Sequence, residues 1–356
     1  MINCGVVRAI IDQVVVKAVE MGSRVLVPVD NQECSEAALL SVMSRVWEPD
    51  TSFLLCKVVE DFRAILGEGQ VEHESALNAE QEEYRYNAGL WLKQATRTFA
   101  EVLPRVEACL EFGQVVEKLS DVAYSWGADY IVLGSQDLGL STRCALGSVA
   151  SSLLRQAPCT VEAVRSSRLK HLLHAQGSVS THEISQIITA PPRKIIIATD
   201  LSSGADAAAE WVAEMNWSPD AEFLVATVNT PSHKDSHSHL LSMGAAYTRE
   251  KYHLLQVESL LKNHAGRIVE AFGLKRVEAD IITDESPANG ILTLANDWQA
   301  DLVVTGSRGA NRNPDFRAGN TAVGILDRVH CSVIAVQMDA KKQVKFHWSQ
   351  SEAAKK

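Results

Sequence analysis

Two stretches of this sequence hold glycines and short polar side chains at a spacing that suits an anion. Gly306, Ser307, Arg308 and Gly309 are followed, after nine further residues, by Gly319, Asn320 and Thr321. Glycine lets a backbone turn with positive φ and approach a ligand closely, and a helix opening near Gly319 would offer unpaired amides to a phosphate. Arg308, Arg312 and Arg317 would add positive charge, balanced in part by Asp315. The earlier stretch runs Gly134, Ser135, Gln136, Asp137, nine residues, Gly147 and Ser148, so Asp137 stands where the later one has Gly309. A carboxylate about 5 Å from a phosphate, at an effective dielectric near 20, costs roughly 3 kcal/mol, about two decades of affinity. A Mg²⁺ bridged by Asp137 would offset this, but one loop carboxylate makes a thin site. The later cradle is therefore the better kept, and Asn320 caps a helix about as well as serine does.

Other chemistry is sparse. Asp30 and Asp200 each follow an apolar run, where an aspartate either caps the next turn or reaches a ligand. His233, His237 and His239, with Asp235 between them, have metal-capable side chains, but a histidine-rich polar loop without a fixed fourth ligand reads as a solvated loop. The seven cysteines show no CxxC spacing and read as small buried thiols in a reducing compartment, without disulfides. The sequence has no GxxxxGK[ST] loop, no GxSxG elbow, no HExxH and no kinase motif set, so no catalytic residues are expected.

The elements that must position these residues come in two copies. Shifted by 172 residues, Trp126–Arg165 aligns with Trp298–Gln337 without a gap, matching Trp126 with Trp298, Asp129 with Asp301, Gly134 with Gly306, Gly147 with Gly319 and Cys159 with Cys331. Upstream, Arg24–Asp30 matches Lys194–Asp200. Each copy alternates short apolar runs with longer helical patterns, which predicts a parallel sheet covered by helices on both faces. Expected strands are Arg24–Val29, Ser52–Val59, Arg105–Glu111, Tyr130–Leu133 and Thr160–Val164, then Lys194–Thr199, Glu222–Asn229, Arg276–Ile282, Leu302–Thr305 and Ser332–Val336. Expected helices are Ser35–Trp47, Ala76–Glu101, Val115–Trp126 and Gly147–Gln156, then Ser203–Asn216, Gly244–Phe272, Pro287–Trp298 and Gly319–Val329. The fold class is α/β: two tandem open five-stranded parallel α/β sandwiches of mononucleotide-binding type, packed as a pseudo-dimer through Thr160–Val164 and Ser332–Val336. Residues 1–22 carry an amphipathic helix within Val6–Val19, 23–165 form the first domain, 166–192 a linker, 193–338 the second domain, and 339–356 a flexible tail.

The whole chain sets limits on partners. Its 356 residues allow two or three folding units, and 46% hydrophobic with 22% charged residues describes a soluble globular protein. A net charge of −10 argues against nucleic acid. No apolar stretch of about 18 residues and no cationic leader is present, so neither membrane nor export is expected and the location is cytoplasmic.

The repeated strand–aspartate ends and the Gly134…Gly147 and Gly306–Gly309…Gly319 spacings resemble the universal stress protein family, in its tandem form, over residues 24–165 and 194–337. The resemblance implies an ATP or AMP site, with Mg, marked by Val29, Asp30, Val58, Gly134, Gly147 and Ser148 in the first unit. In the second it marks Thr199, Asp200, Val228, Gly306, Arg308, Gly309, Gly319, Asn320 and Thr321. It further implies a protein of the stress response that works by binding and interaction with protein partners. On that resemblance the nucleotide site would be largely lost in the first unit, and the second unit keeps the better site. The two domains would pair within the chain, and homodimerisation of whole chains is a further expectation. Two alternatives are an ATP- or AMP-dependent conformational switch and a weak nucleotide hydrolase.

Overall fold

The computed structural model describes residues 22–30, 33–60, 74–135, 148–165, 191–215, 217–230, 255–263, 265–266, 269, 276–307, 319–337 and 346–348. In the first unit these form β1 (Arg24–Pro28), α1 (Glu33–Met43), β2 (Arg45–Trp47), β3 (Ser52–Val59), α2 (Glu74–Ala100), β4 (Val106–Phe112), α3 (Val115–Trp126), β5 (Tyr130–Ser135), α4 (Ser148–Gln156) and β6 (Thr160–Arg165). The second unit contains β7 (Lys194–Ala198), α5 (Ser203–Glu214), β8 (Glu222–Asn229), helix α6 at 255–263, β9 (Val277–Thr283), α7 (Pro287–Trp298), β10 (Leu302–Gly306), α8 (Asn320–Arg328) and β11 (Ser332–Val336). A short β12 (Phe346–Trp348) follows. The amphipathic helix expected within Val6–Val19, the linker 166–190 and the loop of His233, His237 and His239 lie outside the described residues.

Among the described residues, ten strands make one sheet in the order β4-β3-β1-β5-β6-β11-β10-β7-β8-β9. Pairing is parallel within each unit, and β6 meets β11 antiparallel with Val161 opposite Ala335, Glu162 opposite Ile334 and Ala163 opposite Val333. The strand order reverses between β1 and β5, and again between β7 and β10, which opens a crevice at the carboxyl end of each half. Strands β1 and β7 are apolar runs because both faces are covered by helices. One apolar layer holds Val25, Phe53, Tyr130, Ile195 and Trp211, and the other holds Leu26, Leu119, Leu153, Ile196 and Ile325.

Several repeated residues serve the end of the sheet opposite the crevices. The Asp129 carboxylate accepts from the Arg24 amide at 2.9 Å, and Asp301 accepts from the Arg193 and Lys194 amides at 2.8 and 3.1 Å. Arg24 donates to the Trp126 carbonyl at 2.6 Å, and Lys194 to that of Trp298 at 3.1 Å. These contacts tie the first strand of each unit to the helix before its fourth, which explains the matched tryptophans and aspartates without a ligand.

Two differences from the expected elements concern the ends of the chain's helices and its tail. The helix expected over Ser35–Trp47 stops at Met43, and Arg45–Trp47 becomes β2. Arg45 is drawn inward to pair with the buried Glu162 at 2.5 Å, while Trp47 Nε1 donates to the Val42 carbonyl at 2.7 Å. In the segment expected to be a flexible tail, Phe346–Trp348 pairs antiparallel with β2, Phe346 opposite Trp47 and Trp348 opposite Arg45.

Candidate functional site

The loop after β7 is wound tightly by its own side chains. Thr199 Oγ1 accepts from the Leu201 amide at 3.0 Å and Asp200 Oδ1 from the Ser202 amide at 3.1 Å, so Asp200 does cap the turn. Leu201 sits at φ 61°, a conformation costly for a bulky residue and concentrated at functional sites. Ser202 then caps α5, accepting from the Ala205 amide at 3.4 Å.

Across the crevice, β10 ends at Gly306. A Cβ there would stand 2.5 Å from the Gly204 carbonyl oxygen, so glycine is required for α5 to begin against the strand end. This corrects the expectation of positive φ: among the described glycines only Gly113 and Gly127 have it, and Gly319 sits at φ −78°. Gly319 is the N-cap of α8, and its amide donates to the Ser307 carbonyl at 2.6 Å, joining the start of α8 to the residue after β10. Asn320 and Thr321 form the first turn of α8 and are exposed, with that helix's positive end toward the crevice.

These residues surround a cleft of about 580 Å³, within the range of about 300–1,000 Å³ typical of small-molecule sites. Thr199, Asp200, Val228, Gly306, Gly319, Asn320 and Thr321 all line it. Arg308 and Gly309 lie outside the described residues. The cleft also takes in Leu201, Asn229 and Ile291, which sequence reasoning did not single out, and Ser307, which it named only as part of the glycine stretch. For Ser307 the signal was present, since it matches Ser135 in the repeat. Helix α7 approaches closely enough that a Cβ on Gly290 would fall 2.9 Å from Val228 Cγ2, fixing that valine at the cleft wall. Ser307 Oγ donates to Gln337 Oε1 at 2.7 Å, and Gln337 bonds to Thr160 Oγ1 and the Ala157 carbonyl of the first unit at 3.2 and 3.3 Å.

In the first unit Val29, Asp30, Val58 and Gly134 occupy the equivalent carboxyl ends of β1, β3 and β5. Gly147 and Asp137 lie outside the described residues, and Ser148 opens α4. Asp30 is engaged internally: Ser35 Oγ donates to its Oδ1 at 2.5 Å and accepts from its amide at 2.8 Å. Where the second unit has Thr227, the first has Lys57, 3% exposed, with Nζ 5.1 Å from the centre of the Trp91 ring. Burial pulls the Lys57 ammonium below the usual lysine range, and the Asp30 charge opposes that pull.

The model of the universal stress protein family matches residues 21–165 and again 192–337, which together make up most of the chain. The chain belongs to the universal stress protein family. It carries the family's unit twice in tandem. A universal stress protein from Archaeoglobus fulgidus shares the fold, with a TM-score of 0.53 at 17% identity, covering 88% of this chain and 98% of that one. Universal stress protein G of Shigella flexneri and that of Escherichia coli O157:H7 are each 39% identical over 61 residues, 17% of this chain. The chain thus spans 42% of the length of these curated relatives.

Within this family assignment the cysteines that precede the last strands behave as packing groups. Cys159 and Cys331 are buried, and burial pushes the Cys331 thiol up to about 12. Among the described residues no three His, Cys, Asp or Glu side chains converge as a metal site, and no helix is long and apolar enough to cross a membrane.

Proposed function

We propose that this chain acts in the stress response by binding and interaction rather than turnover, holding one adenine nucleotide, ATP or AMP, in the second unit and none in the first. The contrast between the two crevices carries the reading. In the second, Asp200, Val228, Gly319, Asn320 and Thr321 converge on an open cleft, with Thr227 at the strand end. In the first, a buried Lys57 replaces that threonine, and Asp30 is held by Ser35. Adenine belongs beside Val228, ribose at Asp200, and phosphates over the amides that open α8, with Arg308 and Gly309 assigned to the phosphates by their place in the glycine motif. Mg²⁺ would arrive with the phosphates, since Asp200 is the sole carboxylate among the described residues lining the cleft.

The two units act as a single pseudo-dimeric body in the cytoplasm, read by protein partners and not by nucleic acid or membrane. A second reading, an ATP- or AMP-dependent switch, is favoured by one observation. The hydrogen bonds from Ser307 through Gln337 to Thr160 join the cleft to the first unit, so nucleotide in the cleft would be felt there. Weak hydrolysis would be incidental, because among the described residues lining the cleft the one carboxylate, Asp200, caps the turn after β7.

The test is to denature the purified full-length protein and identify released small molecules by mass spectrometry, then add Mg·ATP or AMP to any empty fraction. Release or uptake of one adenine nucleotide supports the reading. No release, with no binding of added nucleotide, removes it and the switch together.

A further inference from the structure

Cys56 on β3 and Cys109 on β4 are register partners, each directly opposite the other. Neighbouring strands lie about 4.8 Å apart, inside the Cα separation of roughly 4.4–6.8 Å that a disulfide spans. Both side chains leave the sheet on one face, where Cys56 is buried beside Leu54 and Leu119 and Cys109 packs half-exposed against the same layer. Opposed on that face, the two thiols are close enough to perturb each other's ionisation. The Cys109 thiol also donates to Glu111 Oε1 at 3.4 Å, which provides an acceptor for its proton. Strand β4 is at the sheet edge, with β3 its one neighbouring strand among the described residues and α2 and α3 packed against it. The corresponding register pair in the second unit is Ala226 opposite Asp280, so the two thiols are a feature of the first unit only.

We propose that Cys56 and Cys109 are a reversible dithiol–disulfide pair oxidised by peroxide. The more exposed Cys109 sulfur attacks one peroxide oxygen: the S–O bond forms, the O–O bond breaks, and water leaves with the thiol proton passed by way of Glu111. The Cys56 sulfur then attacks the Cys109 sulfenic acid: the S–S bond forms, the S–O bond breaks, and a second water carries away the Cys56 proton. Two thiols and one hydrogen peroxide thus give one disulfide and two waters, each sulfur losing one electron. Burial, and after it the Glu111 hydrogen bond and charge on Cys109 and the neighbouring sulfur on Cys56, push both groups up and hold them as thiols. The pair therefore rests reduced and answers a sustained oxidant rather than a brief pulse. A bond across two parallel strands departs from relaxed disulfide geometry, so cellular dithiols should reopen it readily.

The experiment exposes the folded full-length chain to hydrogen peroxide, blocks remaining thiols with iodoacetamide and maps peptides by mass. The expected result is one cross-linked peptide joining Cys56 to Cys109, lighter by two hydrogens than its parts and lost on adding dithiothreitol. In Cys56→Ala the cross-link should vanish and Cys109 should gain oxygen instead. The inference is overturned if peroxide leaves both cysteines open to iodoacetamide while it oxidises methionines. It is equally overturned if the cross-links that form join other cysteines. Both readouts in the unmutated protein stand even if a variant fails to fold.

Discussion

Lys57 is the residue that most sharply separates the two crevices. It was legible in principle, since carrying the Asp30–Asp200 offset forward sets Lys57 against Thr227, but its burial over Trp91 depends on α2 folding back across the sheet. Because the folded chain holds the Lys57 proton less tightly than the unfolded chain, stability rises with pH between the lowered folded value and the ordinary lysine value. Lys57→Met should raise the urea midpoint at pH 7, and its advantage over the unmutated chain should shrink by pH 10. An advantage that grows with pH would mean that the ammonium is welcome where it sits. At Gly306 the glycine is demanded by the Gly204 carbonyl and not by a positive φ, a contact no spacing rule contains. Gly306→Ala should cost about 2 kcal/mol in denaturant unfolding, with or without nucleotide; an unchanged midpoint would return the residue to a purely ligand-facing role.

Among the elements, strands and helices with clear periodicity were readable within a residue or two, as for α3, α7 and β8. The break after Met43 was not, because a tertiary ion pair overrides helical periodicity there. Helix ends show how the two copies have diverged. The helix before the fourth strand closes in the left-handed conformation in both, with Gly127 at φ 70° in one unit and Gln299 at φ 56° in the other. Only glycine takes that conformation without steric cost, so Gln299→Gly should stabilise the chain by about 0.5–1 kcal/mol. Differential scanning calorimetry would record a higher Tm. A lower one would mean that the Gln299 side-chain bond to the Asn296 carbonyl, at 2.6 Å, matters more than the backbone.

For the whole molecule, the seam between β6 and β11 is lined by unlike halves. The first unit contributes a buried trio in which Arg45 forks onto Glu162 at 2.5 and 2.7 Å and Tyr130 donates to the same carboxylate at 2.7 Å. The second contributes Ile334 opposite Glu162, and Trp211 stacked on Tyr130 with centroids 6.3 Å apart. Burial, followed by the Glu162 charge, pushes the Tyr130 hydroxyl well above the usual tyrosine range. Glu162 was visible as an acidic residue inside an apolar strand, but its partner Arg45 is 117 positions away and no local pattern points to it. Arg45→Met alone should cost about 3–5 kcal/mol by stranding a buried carboxylate, whereas Arg45→Met with Glu162→Ile should recover most of it. Equal losses in the single and double variants, measured by urea unfolding, would show that the pair is not coupled. The account's central claim is that one crevice of the duplicated unit still takes nucleotide and the other does not. Isothermal titration of the full-length chain, stripped of small molecules, with Mg·ATP and with AMP tests it most directly. The prediction is one adenine nucleotide per chain, abolished by Gly309→Asp, which copies Asp137 into the second unit, and unaffected by Lys57→Met. Two sites per chain, no site, or binding that survives Gly309→Asp would contradict it.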